Sequence, residues 1–256
     1  MNSNVAVSLL RVEELSCCFG SLRAVNGVSM SIAPGELRAL IGANGAGKTT
    51  LFNLLSGFVA PSAGRIVFDG QDITGHAPHA RVGMGIARTF QITEIFPELS
   101  VHENLRIPVE SEAGLRLRPW VSRSQASRIE ARVEELLDLG KLKDKSGRLA
   151  GELSHGDQRT TEILMALALK PRLLLLDEPT AGMGEQETYE ITELVRRLHR
   201  ERSLTILLVE HDMRVVFHLA DRIMVMAEGL LLAEGTAAQI AADERVQAAY
   251  LGGSKA

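Results

Sequence analysis

Residues 42–49 read Gly42-Ala43-Asn44-Gly45-Ala46-Gly47-Lys48-Thr49, and this stretch decides how the rest of the chain is interpreted. It fits the pattern G-x-x-x-x-G-K-[ST] of a loop that binds nucleotide phosphates. The apolar run 37–41 before it predicts a short buried strand, and residues 50–55 after it predict the first turns of a helix that ends near Gly57. Strand, glycine loop and helix form the context that the motif requires. A glycine-rich turn with an exposed lysine is the alternative, and the flanking elements disfavour it.

The loop supplies the candidate phosphate-binding residues. Glycines let the backbone turn its N–H groups inward without Cβ clashes, and these groups and the helix dipole hold phosphate oxygens. We expect Lys48 to reach the β- and γ-phosphates and Thr49 to place its hydroxyl on Mg²⁺. The predicted nucleotide-binding residues of this stretch are Gly42, Asn44, Gly45, Ala46, Gly47, Lys48, Thr49 and Thr50.

Composition narrows the class of protein. The chain has 256 residues, of which 45% are hydrophobic and 23% charged, as in ordinary soluble globular proteins. A net charge of −4 argues against a nucleic-acid partner. The only cysteines, Cys17 and Cys18, are adjacent, so a mutual disulfide would be strained and a reduced cytosolic protein is the simplest account. No signal peptide and no apolar run of about 18 residues is recognisable. We therefore expect any membrane contact to come through a partner.

The apolar pattern divides the chain into three parts. The first third is rich in predicted strands, with a hairpin-type turn at Asp69-Gly70. In the middle, helices are predicted at 101–106, at 124–139 before Gly140, and at 154–169, with a loop at 111–120. In the last third, strands at 173–177, 204–209, 223–226 and 230–232 alternate with helices at 187–202 and 213–219, and short helices follow at 237–241 and 244–251. Such alternation predicts a parallel sheet covered on both faces, into which the helical middle is inserted.

Two carboxylates follow the apolar strand at 173–176. Asp177 and Glu178 would lie at the carboxyl edge of the sheet, where α/β proteins bind ligands. Downstream of a phosphate loop, Asp177 is expected to hold Mg²⁺, directly or through water, and Glu178 to polarise the attacking water. A solvated acidic turn is the alternative.

The stretch Leu153-Ser154-His155-Gly156-Asp157-Gln158 opens a long predicted helix. Together with the motifs above, it resembles the LSGGQ signature of ABC-type ATPases, with Leu153, Ser154 and Gly156 matching and His155 and Asp157 departing. Ser154-x-x-Asp157 is also a capping-box pattern, and both readings are compatible. Since a carboxylate beside a phosphate would repel it, we expect Asp157 to face the helix backbone. The resemblance implies that Ser154 and Gly156 contact the γ-phosphate of ATP held by a second subunit.

The same resemblance assigns roles to three more residues. Gln91 stands where the family carries a glutamine that senses Mg²⁺ and water, so it is both a metal and a catalytic candidate. His211, in Val209-Glu210-His211-Asp212, resembles the family's switch histidine, which contacts the γ-phosphate. Phe19 stands where an aromatic ring stacks on adenine, with core packing as the alternative. After the carboxylates, Gly184 replaces the family's usual aspartate, so communication between two sites would depend on backbone contacts.

The motif order covers nearly the whole chain and implies a fold class. It is α/β: a P-loop NTPase core of the ABC ATPase type with an antiparallel β subdomain and an inserted α-helical subdomain. The expected single nucleotide-binding domain has its core at about 1–90 and 171–235, the helical subdomain at about 91–170 and a helical tail at 236–256.

Several short sequence segments resemble one subfamily of these ATPases. Residues 87–91 and 248–252 resemble the subfamily that imports branched-chain amino acids, and residues 153–156 and 181–183 resemble its urea and amide branch. The implied cofactors are ATP and Mg²⁺. The implied partners are membrane permease subunits, a second ATP-binding subunit (identical or a paralogue) and, indirectly, a solute-binding protein, with no nucleic acid. The implied location is the cytoplasmic face of the membrane, where 91–99 would help form the permease groove or serve only as a connecting loop.

Two alternatives remain beside the importer subunit. A soluble ABC ATPase acting on DNA or ribosomes would usually need coiled-coil insertions or two fused cassettes, and neither pattern occurs here. A regulatory subunit with weak hydrolysis would fit the altered signature and Gly184, but the retained Glu178 and His211 argue against it.

Overall fold

A computed structural model describes residues 8–89, 94–115 and 122–251, with side chains up to residue 248. The strands are β1 (Leu10–Phe19), β2 (Leu22–Ile32), β3 (Leu37–Gly42), β4 (Ala63–Phe68), β5 (Gln71–Asp72), β6 (Ile86–Arg88), β7 (Leu173–Asp177), β8 (Thr205–Val209), β9 (Arg222–Ala227) and β10 (Leu230–Gly235). The helices are α1 (Lys48–Ser56), α2 (Pro78–Gly83), α3 (Val101–Glu112), α4 (Arg123–Leu139), α5 (His155–Ala168), α6 (Glu185–Arg202), α7 (Met213–Leu219), α8 (Ala237–Ala242) and α9 (Glu244–Leu251). Of these, α2, β5 and β6 were not predicted, since each is too short to show a period.

The smaller sheet is antiparallel, with strand order β2-β1-β4-β5. Asp69 and Gly70 connect its last two strands, and both have positive φ, as the tightest hairpin turns require. Cys17 is buried on β1 and Cys18 is exposed beside it, so the two side chains lie on opposite faces of the strand, as neighbours in a strand do.

The larger sheet has strand order β10-β9-β3-β8-β7-β6 and places the phosphate loop at its centre. Five strands are parallel, as predicted, and β3, β7 and β8 end side by side: Leu40 pairs with Val209, and Val209 pairs with Asp177. The prediction fails at β10, which runs antiparallel to β9. The two strands are joined by Glu228 and Gly229, both at positive φ, and a two-residue connection cannot make a parallel crossover.

The helical middle packs around α5. Buried side chains of α3, α4 and α5 form one core with α6 and one face of the larger sheet. The predicted helix at 101–106 ends too early and the predicted loop at 111–120 begins too early, because α3 continues through Pro108 to Glu112. Its start is fixed by a Ser100–Glu103 capping box, and its buried Asn104 bonds the carbonyls of Phe96, Leu99 and Ser100.

Gly140 ends α4 as predicted, but for a different reason. Its φ is −83°, so it does not adopt the left-handed conformation of a typical terminal glycine; Lys141 does, at 56°. A Cβ on Gly140 would lie 2.5 Å from Leu164 Cδ1 on α5. The glycine therefore allows the close approach of α4 and α5.

The predicted fold class is confirmed by this combination of an antiparallel sheet, a P-loop sheet and a helical region. The division at about residues 90, 170 and 235 stays a prediction. Within the described residues, every helix is too short or too polar to cross a membrane.

Candidate nucleotide site

The phosphate loop connects the end of β3 to the first turn of α1, as the motif predicts. Gly42 and Gly47 are required by close backbone contacts, since an added Cβ would lie 2.3 Å from the carbonyl oxygens of Met226 and Ala24, respectively. Both also have positive φ, where side chains are strained. Within the loop, Asn44 and Gly45 are exposed and Ala46 is buried.

Lys48 folds back over this loop. Its side chain is almost fully buried, and Nζ donates to the carbonyl oxygens of Gly42 at 2.8 Å and Ala43 at 3.0 Å. Burial lowers the pKa of Lys48, whereas the carboxylates of Glu178 and Asp177 raise it. The lysine therefore lies within electrostatic reach of both predicted carboxylates. Of the next residues, Thr49 is exposed and Thr50 is half-buried.

Asp177 ends β7, whose five residues are all buried. Its Oδ2 accepts a hydrogen bond from Arg88 Nη2 at 2.9 Å, and its backbone oxygen accepts one from Arg159 Nη2 at 2.5 Å. Burial raises the pKa of Asp177, and the Arg88 guanidinium acts in the opposite direction. The Asp177 side chain is thus buried at the sheet edge, where Arg88 bonds its carboxyl group and Arg159 bonds its backbone.

Glu178 and His211 meet beside this carboxylate. Glu178 Oε1 lies 2.5 Å from His211 Nε2, and the two residues follow neighbouring strands β7 and β8. Glu178 has a φ of 46°, a conformation that non-glycine residues rarely adopt, and its N–H donates to Val209 O at 3.0 Å. The structure therefore brings together Lys48, Asp177, Glu178 and His211.

Glu210 stabilises this edge and was missed in the sequence. Its buried Oε1 accepts from the Thr180 N–H at 3.1 Å and from the Thr180 hydroxyl at 2.5 Å. It thereby ties the turn after Glu178 to the residue before His211. The sequence contained one indication of this role, because Glu210 is an acidic residue directly after a predicted apolar strand. Arg88 and Arg159 were also missed, because Arg88 was used only for the subfamily resemblance of residues 87–91 and Arg159 lies just after the signature stretch.

Ser154 and Gly156 form the start of α5. Ser154 is exposed and caps the helix, its Oγ accepting from the Asp157 N–H at 3.2 Å. The Gly156 N–H donates to Glu187 Oε1 on α6 at 3.0 Å. The expectation that Asp157 faces the helix backbone was wrong: its Oδ2 pairs with Lys145 Nζ at 2.6 Å, because a cation from the preceding segment lies within reach.

Of the two remaining predicted site residues, the structure describes Phe19 but not Gln91. Phe19 lies at the end of β1 with 51% of its surface exposed, so the core-packing alternative fails. Gln91 lies outside the described residues, together with residues 90, 92 and 93. Its role stays a prediction, as do the ligand contacts assigned to the other site residues.

A glycine loop between a central parallel strand and a helix, with two carboxylates ending a nearby strand, defines the P-loop nucleotide hydrolases. Comparison with known proteins narrows this class. The family model of the ABC transporter matches residues 25–181, and a model described as the branched-chain amino acid ATP-binding cassette transporter matches residues 231–256. The chain belongs to the ABC transporter family, in which it is an ATP-binding, ATP-hydrolysing protein.

Relatives match along nearly the whole chain. The branched-chain amino acid transport ATP-binding protein BraF of Pseudomonas aeruginosa is 39% identical, over 95% of this chain and 98% of its own length. LivG of Escherichia coli K12, named for the same transport, is 40% identical with the same coverage. The solved ATP-binding cassette MJ1267 in its ADP conformation is similar at a TM-score of 0.82 and 31% identity, covering 96% of this chain and 99% of that one.

Proposed function

We propose that this chain powers a membrane importer by hydrolysing ATP at a site that two subunits share. The observation that carries the hydrolytic part is the 2.5 Å contact between Glu178 Oε1 and His211 Nε2, directly after the buried Asp177. A carboxylate held beside a histidine at the end of a phosphate-binding edge is suited to orient and polarise a water molecule.

The phosphate loop holds the triphosphate in this proposal. Lys48 exchanges its bonds to the carbonyls of Gly42 and Ala43 for bonds to phosphate oxygens, and the loop N–H groups supply the remaining donors. Phe19 stacks on the adenine ring, which its exposure at the end of β1 supports.

The residues beside the loop suit Mg²⁺. It is a hard cation that takes few protein oxygens and keeps waters and phosphates as its other ligands. The Thr49 hydroxyl and the Asp177 carboxylate are such donors, and Gln91 is the third predicted ligand. Among the described residues, no three His, Cys, Asp or Glu side chains cluster into a site made of protein ligands alone, and Mg²⁺ bound with a nucleotide does not need one. The bound ion would neutralise phosphate charge.

The signature turn serves the second subunit. Ser154 is exposed at the N-terminus of α5, where hydroxyl and N–H groups can bind the γ-phosphate of ATP held across a dimer interface. The closed dimer drives motion only because it binds ATP better than the open one does.

The transported solute is proposed from the relatives. BraF and LivG are named for branched-chain amino acids, and the match at residues 231–256 points to the same group. We assign branched-chain amino acids or a related small solute such as urea or amides. The chain would lie on the cytoplasmic face, bound to permease subunits and indirectly linked to a solute-binding protein. Purification from the native membrane should recover these partners; recovery without any permease would contradict the proposal.

The test of the shared site uses Glu178→Gln, which keeps the shape of the side chain and removes its negative charge. This variant should bind ATP, fail to hydrolyse it and accumulate as a dimer, because only the step after binding is blocked. Light scattering with and without Mg²⁺-ATP measures the mass in solution.

Lys48→Ala in the same background is the matched control, and it should stay monomeric because it loses phosphate binding. A Glu178→Gln variant that binds ATP tightly and stays monomeric at all concentrations would contradict a self-sufficient homodimer. Wild-type turnover that survives the Glu178→Gln change would contradict the catalytic role.

A further inference from the structure

Arg88 connects the buried carboxylate of Asp177 to the helix that follows the phosphate loop. It is the last residue of β6, the edge strand beside β7. Its Nη2 donates to Asp177 Oδ2 at 2.9 Å, with only 7% and 4% of the two side chains exposed. No sequence motif assigned a role to this arginine.

The other arm of the guanidinium binds α1. Its Nη1 donates to Asn53 Oδ1 at 2.6 Å and to Ser56 Oγ at 2.9 Å. The same group lies over the rings of Phe52 and Phe58, at 5.6 and 6.0 Å from their centroids. These contacts fix the guanidinium plane, so the position of the Arg88 side chain relative to α1 does not depend on its bond to Asp177.

Two oxygens of Asp177, one in the carboxylate and one in the backbone, are each bonded to an arginine. Oδ2 is bonded to Arg88, and the backbone oxygen is bonded to Arg159 Nη2 at 2.5 Å. A carboxylate with one oxygen fixed presents the other in a defined direction. Because α1 begins at Lys48 and Thr49, the same arginine fixes this direction relative to the residues expected around the phosphates.

We propose that Arg88 is a positioning residue that orients the Asp177 carboxylate toward the Mg²⁺ of bound nucleotide. The inference rests on the proposed function, since it assumes that Asp177 faces Mg²⁺-nucleotide. Groups that orient a metal ligand typically change metal affinity about 10- to 100-fold when they are removed. An ion pair that only stabilises the fold would not act selectively on the Mg²⁺-dependent part of nucleotide binding.

The test is calorimetric titration with ADP, once with excess Mg²⁺ and once with EDTA. ADP avoids both hydrolysis and the ATP-driven dimer. The wild type should bind ADP more tightly with Mg²⁺. Arg88→Met should bind ADP like the wild type in EDTA but lose about tenfold or more of the Mg²⁺-dependent gain. Arg88→Lys, which keeps the charge without the two-armed contact, should recover part of it.

Arg172→Met is the matched control. Arg172 also pairs with an aspartate, Asp69, and lies over a phenylalanine ring, Phe68, but its side chain is half exposed. It should behave as the wild type in both buffers.

The outcomes separate the two proposals. If the wild type shows no gain with Mg²⁺, the proposed function fails. If the wild type shows the gain and both Arg88 variants keep it, or lose affinity equally in both buffers, the positioning role is overturned. Should Arg88→Met not fold, as circular dichroism would reveal, Arg88→Lys alone decides between these outcomes.

Discussion

The two halves of the proposed ATP site are built in different ways. On the phosphate-loop side, Lys48, Asp177 and Glu210 are each less than 7% exposed and bonded to other parts of the same site. On the signature side, Ser154 is exposed at a helix start, and the Gly156 N–H is bonded to Glu187 of α6. The first half is organised by its own core, whereas the second places an exposed hydroxyl beside a glycine N–H that is buried against α6.

This difference indicates what each half needs from a partner. Buried side chains with several fixed bonds need little rearrangement to receive phosphates, which is the usual condition for electrostatic stabilisation. The Gly156 N–H must leave an internal carboxylate before it can bind a phosphate from another subunit. We therefore expect substitutions in the first half to change folding or binding within one chain. In the second half they should change dimer formation.

The largest expected effect lies where the halves are joined. Arg159, on the same helix as the signature turn, is buried, pairs with Glu162 at 2.5 Å and donates to the Asp177 backbone oxygen. Arg159→Met should lower the free energy of unfolding by about 3–5 kcal/mol, because it leaves Glu162 buried without this cation. Urea unfolding followed by circular dichroism measures the change.

Replacing both partners tests the reason for that loss. Arg159→Met with Glu162→Leu should recover most of the stability, since no charge then remains buried at the pair. Lys170→Met breaks the exposed pair with Glu112 and should cost less than about 1 kcal/mol. A loss below 1 kcal/mol for Arg159→Met would show that the two halves are not coupled through this residue.

Glu187 provides a test confined to the signature half. Glu187→Ala removes the carboxylate that accepts the Gly156 N–H, so the open chain loses a bond that a phosphate would replace. In the Glu178→Gln background, the ATP concentration for half-maximal dimer formation should fall about fivefold, as expected for a hydrogen bond worth about 1 kcal/mol. Light scattering across an ATP titration measures the shift.

Glu185→Ala is the control, because Glu185 begins the same helix with the same charge and its side chain is 93% exposed. It should leave the ATP concentration unchanged. If Glu187→Ala requires more ATP than its parent, Glu187 supports the closed dimer and the contrast between the halves is smaller than we infer.

The same contrast explains what the sequence could predict. The phosphate loop and Asp177-Glu178 are contiguous motifs placed by a strand, and strand order brings their ends together. Lys48, Glu178 and His211 could therefore be assigned to one edge before the structure. Arg88, Arg159 and Glu210 act through contacts with residues 18 to 89 positions away, and no local pattern marks such contacts.

The errors in the predicted local structure have similar causes. The lack of a helical period in residues 111–120 hid the end of α3, although the Ser100 capping box and packing against α4 and α5 stabilise this helix. Asp157 was expected at the helix backbone because a carboxylate that faced a bound phosphate would repel it. Lys145 lies twelve residues earlier, and only the turn between α4 and α5 brings it within 2.6 Å.

The smallest expected effect concerns Gly184, the position where the family often carries an aspartate. It is the N-cap of α6, with extended backbone and no side-chain cap, and a Cβ there would meet nothing within 4 Å. Gly184→Asp should raise the free energy of unfolding by a few tenths of a kcal/mol, because aspartate accepts from the first N–H groups. Calorimetry should show a Tm increase of about 1 °C.

The first turn of α6 already contains Glu185 and Glu187, so the added charge meets both the helix dipole and two carboxylates. The dipole favours an acid at this end, and the nearby charges oppose it. Gly184→Asn caps the helix without the charge, and its comparison with Gly184→Asp isolates the electrostatic part. A lower Tm for Asp than for Asn would mean that the two acids outweigh the dipole. In that case a neutral residue at 184 would fit the acidic start of α6 better than the aspartate does.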